Sequence, residues 1–584
     1  MDMINVKING IAVSVPKGST VLEAARTAGI EIPTLCFMKE KNEIGACRIC
    51  VVEVNEGRGF RIVTACVYPV SEGMEVLTNS EKIQKARKTT LELILSTHEK
   101  KCLSCVRSTN CELQKLCRDY GVEDTTFEGF KPEYELDTST PHLVRDNNKC
   151  ILCRRCVAVC KEQYVSVIGA NDRGIDTNIG QAFNLSLNNT PCISCGQCTA
   201  VCPTGALTEK DDTDKIWEAL SDPTKTVVVQ TAPSIRATLG ECFGMPIGTN
   251  VEGKMVSALH RLGFDKVFDT DFAADLTIVE EANELVERIK NGGVLPMITS
   301  CSPGWVKFCE FYYPDMIDHL SSCKSPQQMA GAVIKTYWAN KAGIDAKDIV
   351  VVSVMPCTAK KFEIGRDDES AAGVPDVDIA ITTRELGRMI DRAGINFTSL
   401  PDEEFDNPLG EDTGAAVIFG ATGGVMEAAL RTANDWLTGK DNTDIDFEAV
   451  RGTAGLKQAT VKIADLELKV AVASGAAAAK VVMDRMKAGN PDGWGFVEIM
   501  GCPGGCVNGG GQPIQPQYVR DTVDLKAVRA KALYDQDKAS ALRKSHESPV
   551  VKTLYSEWYD GFGGHKAHHD LHTSYVARKK YSSR

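Results

Sequence analysis

The chain lacks the features that would point to a membrane, to secretion or to nucleic acid. No apolar run among its 584 residues is long enough to cross a bilayer. The N-terminus, MDMINVKING, lacks the basic-then-apolar pattern of a secretory signal. The net charge is -12 and no block of lysine and arginine stands out, which argues against a nucleic-acid partner. Hydrophobic content of 43% and charged content of 25% predict a soluble, cytoplasmic protein of several globular domains.

Cysteine, by contrast, is abundant, with 23 in the chain. In a reducing compartment clustered cysteines bind metal more often than they form disulfides. A disulfide framework is therefore the minor alternative. Three cysteines outside any motif are interpreted as packing residues: Cys117, Cys242 and Cys309.

The first segment begins with two predicted strands and a helix. INVKINGIAVSVP indicates a hairpin around Asn9-Gly10, and STVLEAARTAGI indicates a helix with Ser19 as N-cap and Glu23 near the first turn. Four cysteines follow with the spacing Cys-x10-Cys-x2-Cys-x15-Cys, namely Cys36, Cys47, Cys50 and Cys66. This order resembles a plant-type ferredoxin domain, in the variant found at the head of large redox enzymes. The resemblance implies a β-grasp fold with a [2Fe-2S] cluster, and a zinc site is the alternative.

The second cluster motif mixes histidine with cysteine. THEKKCLSCVRSTNC has the spacing His-x3-Cys-x2-Cys-x5-Cys, formed by His98, Cys102, Cys105 and Cys111. One imidazole and three thiolates suit structural zinc as well as iron. The position between other iron-sulfur motifs favours a [4Fe-4S] cluster, whose histidine ligand would raise its reduction potential.

The third region repeats one motif. Two runs of Cys-x2-Cys-x2-Cys-x3-Cys are typical of two-cluster bacterial ferredoxins, in which the fourth cysteine of each run ligates the other cluster. We therefore expect Cys202 to join Cys150, Cys153 and Cys156, and Cys160 to join Cys192, Cys195 and Cys198.

These motifs predict four domains and a chain of electron carriers. The boundaries are a [2Fe-2S] domain at 1–79, a small [4Fe-4S] domain with mixed histidine and cysteine ligands at 80–125, a two-[4Fe-4S] ferredoxin domain at 126–210 and a catalytic domain with a C-terminal tail at 211–584. Four clusters in the first 210 residues would form a chain of electron carriers. These residues contain no Gly-rich nucleotide loop and no set of acid and base side chains. Catalysis is therefore assigned to the last domain.

The last domain alternates apolar runs with helix-like stretches. TVVVQTAPSI, DIVVVSVMPC and GFVEIMGCPGG are apolar runs that each end in small or functional residues. This alternation indicates an α/β fold with mostly parallel, buried strands. Ligands in such folds bind beyond the carboxyl ends of the strands, which is where the remaining motifs fall.

Three of these motifs together resemble the signature loops of the [FeFe]-hydrogenases. They are TSCSPGW, VMPCTAKKFE and EIMGCPGGCVNGGGQP, and the upstream cluster motifs occur in that family's usual order. The chain is similar to the large monomeric clostridial enzymes and to the catalytic subunits of bifurcating, NAD-linked complexes. The resemblance implies two mostly parallel sheets around an H-cluster, a [4Fe-4S] cubane joined by a cysteine thiolate to a two-iron unit with CO, cyanide and a dithiolate amine. The implied reaction is the reversible reduction of protons to H2.

The same resemblance implies roles for individual residues. Cubane ligands would be Cys357, Cys502 and Cys506, of which Cys506 would bridge to the two-iron unit. The two-iron unit would be held by Pro233, Ser234, Gln327, Met355, Lys360 and Met500. Protons would pass between the unit and the surface along Cys301, Glu281, Ser321, Glu284 and Arg288. Taken alone, the acidic pair on one helix face would equally suit a solvated surface.

The loop TSCSPGW departs from the family pattern. The usual loop has two adjacent cysteines, the first for proton transfer and the second for the cubane, and Ser302 stands at the second position here. Ser302 could ligate through oxygen, which would lower the cluster potential. Alternatively Cys301 could ligate instead of carrying protons, or Cys323 could approach. An engineered substitution would also explain the serine.

The resemblance also implies partners. Ferredoxin would exchange electrons with the accessory clusters, and maturases would insert the two-iron unit. NAD chemistry would require partner subunits, since no flavin or dinucleotide fingerprint is present. A non-catalytic hydrogen sensor or an iron-sulfur assembly protein is the remaining alternative. Retention of Cys301, Lys360, Glu281 and Glu284 argues against it.

Overall fold

The computed structural model describes residues 2–463 and 466–581. The last three residues of the predicted fourth domain therefore lie outside the described residues, as do Ala464 and Asp465 within it. None of the described helices combines the length and the apolarity that a membrane crossing requires.

The N-terminal segment folds as the predicted β-grasp unit. Its five strands are ordered β2-β1-β5-β3-β4, with β1 and β5 parallel and the other pairs antiparallel. The expected N-cap at Ser19 is wrong by one residue, because Thr20 and Glu23 form a reciprocal capping box. The elements are β1 (Met3–Ile8), β2 (Ile11–Pro16), α1 (Val21–Thr27), β3 (Val51–Asn55), β4 (Arg61–Thr64) and β5 (Glu75–Leu77).

The next two segments contain short elements around cysteine loops. Helices α2 (Glu81–Leu95) and α3 (Glu112–Asp119) share a hydrophobic core with Leu35 and Ile49 of the first cysteine loop. Two small antiparallel ribbons and two helices follow. They are β6 (Leu143–Arg145), α4 (Arg155–Glu162), β7 (Gly169–Asn171), β8 (Asn178–Gly180), α5 (Gln197–Val201) and β9 (Leu207–Glu209).

The largest segment has the expected pair of mostly parallel sheets. One sheet is parallel throughout, in the order β11-β10-β13-β14. The other, β12-β17-β16-β15, carries one antiparallel edge strand, β15. The strands are β10 (Thr226–Thr231), β11 (Lys266–Asp269), β12 (Met297–Ile298), β13 (Ile349–Met355), β14 (Ile379–Thr382), β15 (Leu456–Ile463), β16 (Leu466–Ser474) and β17 (Phe496–Met500).

Helices cover both faces of these sheets. The first seven are α6 (Thr213–Ser221), α7 (Pro233–Arg236), α8 (Glu252–Leu262), α9 (Asp271–Asn291), α10 (Pro303–Tyr312), α11 (Pro326–Val333) and α12 (Ala339–Ala342). A π-helical turn, Ile334–Trp338, joins the last two. The others are α13 (Lys360–Glu363), α14 (Thr383–Arg392), α15 (Gly414–Val417), α16 (Gly424–Thr438), α17 (Ala476–Lys487), α18 (Gln517–Thr522), α19 (Leu525–Ala539), α20 (Pro549–Glu557) and α21 (His565–Leu571).

Burial on two faces explains the continuous apolar runs. Val227 and Val229 of β10 enter one hydrophobic core, while Val228 between them enters another. In the second sheet, Val497 and Phe496 of β17 likewise belong to different cores. In a strand that is buried on both faces, apolar and polar residues do not need to alternate. Strands β10, β12, β13 and β17 all run toward the motif loops, so these loops gather at the carboxyl ends of the two sheets.

Candidate active site

The first four predicted ligands converge beneath the β-grasp sheet. Cys50 Sγ lies 3.3 Å from Cys66 Sγ. Cys36 and Cys47 form a second thiol pair, in which the hydrogen bond from one thiol to the other lowers the pKa of Cys47 to about 6 and raises that of Cys36. The charge of Cys47 also affects the pKa of Cys50, so the two pairs share one site.

The second set also comes together. Cys102, Cys105 and Cys111 line one cavity with His98. Burial lowers the pKa of His98 to about 4, so its imidazole is neutral, as a metal ligand requires. Its buried Nδ1 has no hydrogen-bond partner among the described residues. A histidine with an unpartnered buried nitrogen, in a cavity also lined by three free thiols, fits a metal site.

The eight ferredoxin-type cysteines divide as expected from the repeated motif. One cavity is lined by Cys150, Cys153, Cys156 and Cys202. A second cavity is lined by Cys160, Cys192, Cys195 and Cys198. Each cavity therefore takes three cysteines from one run and the fourth from the other, because α4 and α5 pack against each other and bring the ends of both runs together.

The second of these cavities adjoins the catalytic loops. Cys502 Sγ lies 3.9 Å from the carbonyl oxygen of Cys195. The Gln197 side chain donates to the carbonyl of Asn508 over 2.8 Å. A Cβ at Gly510 would lie 2.3 Å from the Cys195 carbonyl oxygen, so only glycine permits this approach. Gly510 thus serves the contact between the ferredoxin-type loop and the catalytic loop, while Gly509 and Gly511 lie against Pro356.

Three cysteines of the catalytic motifs gather where β13 and β17 end. Cys502 is buried, and Cys357 and Cys506 are half-buried. Burial is the largest influence on the pKa of Cys506, and the charge of Cys357 is the next, which together raise it to about 12. All 23 cysteines lie in the described part of the chain, where all are free thiols. Three free thiols that lie close together suit an iron-sulfur cluster.

Ser302 and Cys323 lie in different places relative to these thiols. The Ser302 hydroxyl accepts a hydrogen bond from the backbone N–H of Gly501 over 3.0 Å, next to Cys502. Cys323 is fully buried, with its Sγ 3.8 Å from Glu284 Oε2. The structure therefore brings Ser302, and not Cys323, to the loop of the predicted cubane ligands.

Cys301 lies near a buried carboxyl as well as near the predicted cubane ligand Cys506. Burial raises the pKa of its thiol, and the nearby charges of Glu281 and Cys506 raise it further. Its carbonyl accepts from Lys360 Nζ over 3.2 Å. Glu281 is fully buried, and burial followed by the charge of Glu284 raises its pKa to about 8.

The predicted proton route is a connected set of polar groups. Glu281 accepts from the backbone N–H of Ser300 over 3.5 Å, and the Ser321 hydroxyl interacts with it and donates to Glu284 over 2.8 Å. Glu284 is paired with Arg288 at 2.6 Å, and both side chains are partly exposed, at 16% and 15%. The acidic pair is therefore not a solvated helix face, since its first member is buried and its second reaches the surface.

The residues predicted to hold the two-iron unit surround the same region. Pro233 and Ser234 begin α7 directly after β10, while Met355 and Met500 end β13 and β17. The Gln327 side chain donates to Glu363 over 2.9 Å, and Lys360 pairs with the same carboxylate at 2.8 Å.

Sequence reasoning missed two residues that orient this set. Glu363 holds both Lys360 and Gln327, and its position three residues after Lys360 on α13 was the available signal. Gln512, in the motif GGGQP, donates to the Ser234 hydroxyl over 3.2 Å and accepts from Thr238 over 2.7 Å.

Comparisons with known proteins agree with this arrangement. The family described as "Iron only hydrogenase large subunit, C-terminal domain" matches residues 225–510, and "Iron hydrogenase small subunit" matches 523–578. Three iron-sulfur families match upstream. They are "2Fe-2S iron-sulfur cluster binding domain" at 1–81, "NADH-ubiquinone oxidoreductase-G iron-sulfur binding region" at 87–126 and "4Fe-4S dicluster domain" at 149–206.

Individual relatives match over long stretches. The NADP-reducing hydrogenase subunit HndD of Solidesulfovibrio fructosivorans is 48% identical over 99% of this chain and 100% of its own length. Iron hydrogenase 1 of Clostridium pasteurianum is 45% identical over 98% of this chain and 100% of its own. A solved structure of a variant of apo [FeFe]-hydrogenase HydA1 from Chlamydomonas reinhardtii is 42% identical with a TM-score of 0.55, and the match covers 62% of this chain and 99% of that one. The chain therefore belongs to the iron-only, or [FeFe], hydrogenase family and is an iron-sulfur oxidoreductase that interconverts protons and H2.

Proposed function

We propose that the chain carries one [2Fe-2S] cluster, three accessory [4Fe-4S] clusters and an H-cluster, in the four domains bounded as predicted from the sequence. The [2Fe-2S] cluster would be held by Cys36, Cys47, Cys50 and Cys66. The set of one histidine and three cysteines would hold one [4Fe-4S] cluster, and each mixed set of ferredoxin-type cysteines one more. One set has a histidine donor and the other three have four cysteines each, which supports at least one cluster of different potential along the chain.

The H-cluster would be held by Cys357, Cys502 and Cys506, with Ser302 as the fourth cubane ligand. When bound, it supplies the redox-active iron at which protons and electrons combine. Lys360 is a buried cation and a strong donor to the cyanide groups that the family implies. The contact between Glu363 and Lys360 fixes the position of that amine.

The side chains of the protein would contribute to the reaction by delivering protons to the buried H-cluster site. Cys301 would exchange a proton at the metal side, and Glu281 would receive it in the interior. Ser321 and Glu284 would carry it on to Arg288 at the surface. A pKa of about 8 suits Glu281 to this role, because a group that titrates near neutral pH both accepts and releases protons readily.

One observation carries the electron route. The 3.9 Å contact between Cys502 and the Cys195 carbonyl joins the last accessory site directly to the catalytic loop. Electrons from ferredoxin would enter at the N-terminal clusters and pass from the last accessory cluster to the catalytic loop at this contact.

A second candidate assigns the chain to a larger complex. The relative HndD is named as a subunit of an NADP-reducing hydrogenase and matches the whole chain. We propose cytoplasmic NAD(P)-linked partner subunits as the alternative to ferredoxin, with dedicated maturases supplying the two-iron unit in either case. Purification as a single chain or as a complex distinguishes the two.

Iron analysis and infrared spectroscopy of the matured protein test the proposal. We expect about 20 iron atoms per chain, the sum for one [2Fe-2S], three [4Fe-4S] and one six-iron centre. We also expect infrared bands from iron-bound CO and CN-. Zinc in place of iron at any set, or the absence of those bands in an active enzyme, contradicts the assignment.

A further inference from the structure

A second group of metal-binding side chains lies beside the proposed proton route. Donor atoms of Glu284, Cys323 and His572 all lie within 4.8 Å of one another. Cys323 is fully buried, and the His572 side chain is 6% exposed. Cys323 and His572 belong to none of the cluster motifs, and His572 lies 249 residues after Cys323 in the sequence.

Backbone pairing holds the thiol and the imidazole side by side. Cys323 and His572 face each other in an antiparallel bridge. The two backbone hydrogen bonds that flank the pair join its chain neighbours, and each is 2.8 Å long. Such an arrangement is the non-hydrogen-bonded pair of an antiparallel ladder, in which the Cα atoms lie about 4.5 Å apart. The two donors are thus positioned by backbone and not by flexible side chains alone.

Helix α9 supplies the third donor at a suitable distance. Cys323 Sγ lies 3.8 Å from Glu284 Oε2. Tetrahedral zinc with bonds of about 2.3 Å to sulfur and about 2.0 Å to oxygen separates these two ligands by about 3.5 Å. The Ser322 hydroxyl lies between the other two donors, 3.4 Å from Glu284 Oε2 and 2.8 Å from His572 Nδ1.

We propose that Glu284, Cys323 and His572 form an inhibitory binding site for zinc. Thiolate, imidazole and carboxylate together are donors that zinc prefers, whereas magnesium and calcium select oxygen. The ion binds the deprotonated thiol, and the thiol proton passes to solvent. With three protein ligands the fourth position is left to water, which is an open site and not a closed structural one.

The inhibitory effect follows from the position of Glu284, and this part rests on the proposed proton route. Zinc bound to Oε2 of Glu284 occupies the oxygen that accepts from Ser321, so the carboxylate no longer takes up a proton there. The ion enters where Glu284 and Arg288 are partly exposed, and Arg288 keeps its 2.6 Å contact with Oε1 of Glu284.

Zinc titration of the fully loaded enzyme tests the site. Bound zinc is measured after desalting, iron content is followed to exclude cluster loss, and H2 oxidation is assayed with a viologen dye. The variants are Cys323→Ala and His572→Ala. The control is Cys242→Ala, which removes a thiol packed against Gly387 in another part of the fold. Zinc-edge X-ray absorption reports whether sulfur binds the ion.

We expect the wild type and the control to retain one zinc ion with a sulfur ligand and to lose activity. In the two variants the inhibiting concentration should rise at least about tenfold, since loss of even an outer-shell partner of a metal costs about 10–100-fold in affinity. Equal zinc sensitivity in all four proteins, or a spectrum without sulfur, overturns the proposal. Stoichiometric, sulfur-bound zinc without inhibition overturns the inhibitory role and contradicts the proton route, while the hydrogenase activity itself stands.

Discussion

Replacement of Glu281 by glutamine tests whether this buried carboxyl carries protons. Glutamine has the shape of the protonated carboxyl but neither gains nor loses a proton. Glu281 is fully buried, and its Oε2 has no hydrogen-bond partner among the described residues. The substitution therefore leaves packing intact and removes the acid-base function, for which we expect a loss of turnover of about 10²- to 10⁴-fold.

The same substitution has a calculable effect on stability. Burial and the charge of Glu284 raise the pKa of Glu281 from 4.5 to about 8, so at pH 7 the carboxyl is protonated when folded and ionised when unfolded. The stability that this protonated group contributes is fully present below pH 4.5 and is lost as the pH rises to about 8. At about 1.36 kcal/mol per pH unit, the wild type loses about 3 kcal/mol between pH 4.5 and pH 7, and the glutamine variant does not.

Activity and thermal unfolding, measured together, separate the two effects. The melting temperature of Glu281→Gln relative to wild type should rise from pH 5 to pH 7, while H2 evolution with reduced viologen collapses. Asp275→Asn is the matched control, because Asp275 lies on the same helix, is fully buried and has its pKa raised by burial to about 8. The control should keep its activity. Turnover above about a tenth of wild type in Glu281→Gln refutes the proton route, and a melting difference that is independent of pH refutes the protonated state.

Three other substitutions address single ligands or relays. Cys301→Ala should keep the infrared bands of iron-bound CO and CN- and lose most H2 turnover, because the thiol faces Glu281; disappearance of the bands would make Cys301 a ligand. Ser302→Cys should raise the reduction potential of the cubane in a redox titration, because thiolate replaces an oxygen ligand, and an unchanged potential would show that Ser302 does not bind iron. His98→Cys should keep a [4Fe-4S] cluster at lower potential, since histidine ligation raises cluster potentials, and an unaltered spectrum would remove His98 from the ligand set.

The parts of the fold that the sequence predicted are those with a local signal. A strand buried on both faces has a continuous apolar run, so β10, β13 and β17 were recognisable, and so was the convergence of the loops that follow them. The cysteine runs are equally local, because their spacing fixes which thiols can share a site. For this reason the exchange of Cys160 and Cys202 between the two cavities could be expected.

Contacts between distant segments had no such signal. Cys323 meets His572 only because the chain after α20 returns to the loop before α11, and no periodicity predicts that return. The sequence also could not predict that Thr20 and not Ser19 is the N-cap, because both residue types are good N-caps and only the backbone geometry distinguishes them.

The backbone at Ser302 favours one of the alternatives for the serine-containing loop. Ser302 has φ -103° and ψ 102°, an extended conformation. In extended backbone, adjacent side chains point to opposite sides. The Ser302 hydroxyl bonds the N–H of Gly501 beside Cys502, so the Cys301 side chain points to the other side of the backbone, where the charges of Glu281 and Cys506 both act on its thiol. We infer that a single residue cannot both bind the cubane and carry protons. Position 302 would then hold the cubane ligand, and the thiol at position 301 would carry protons. On this proposal electrons would arrive from the Cys195 side and protons from the Glu281 side of the same three thiols, so that the two routes would not cross.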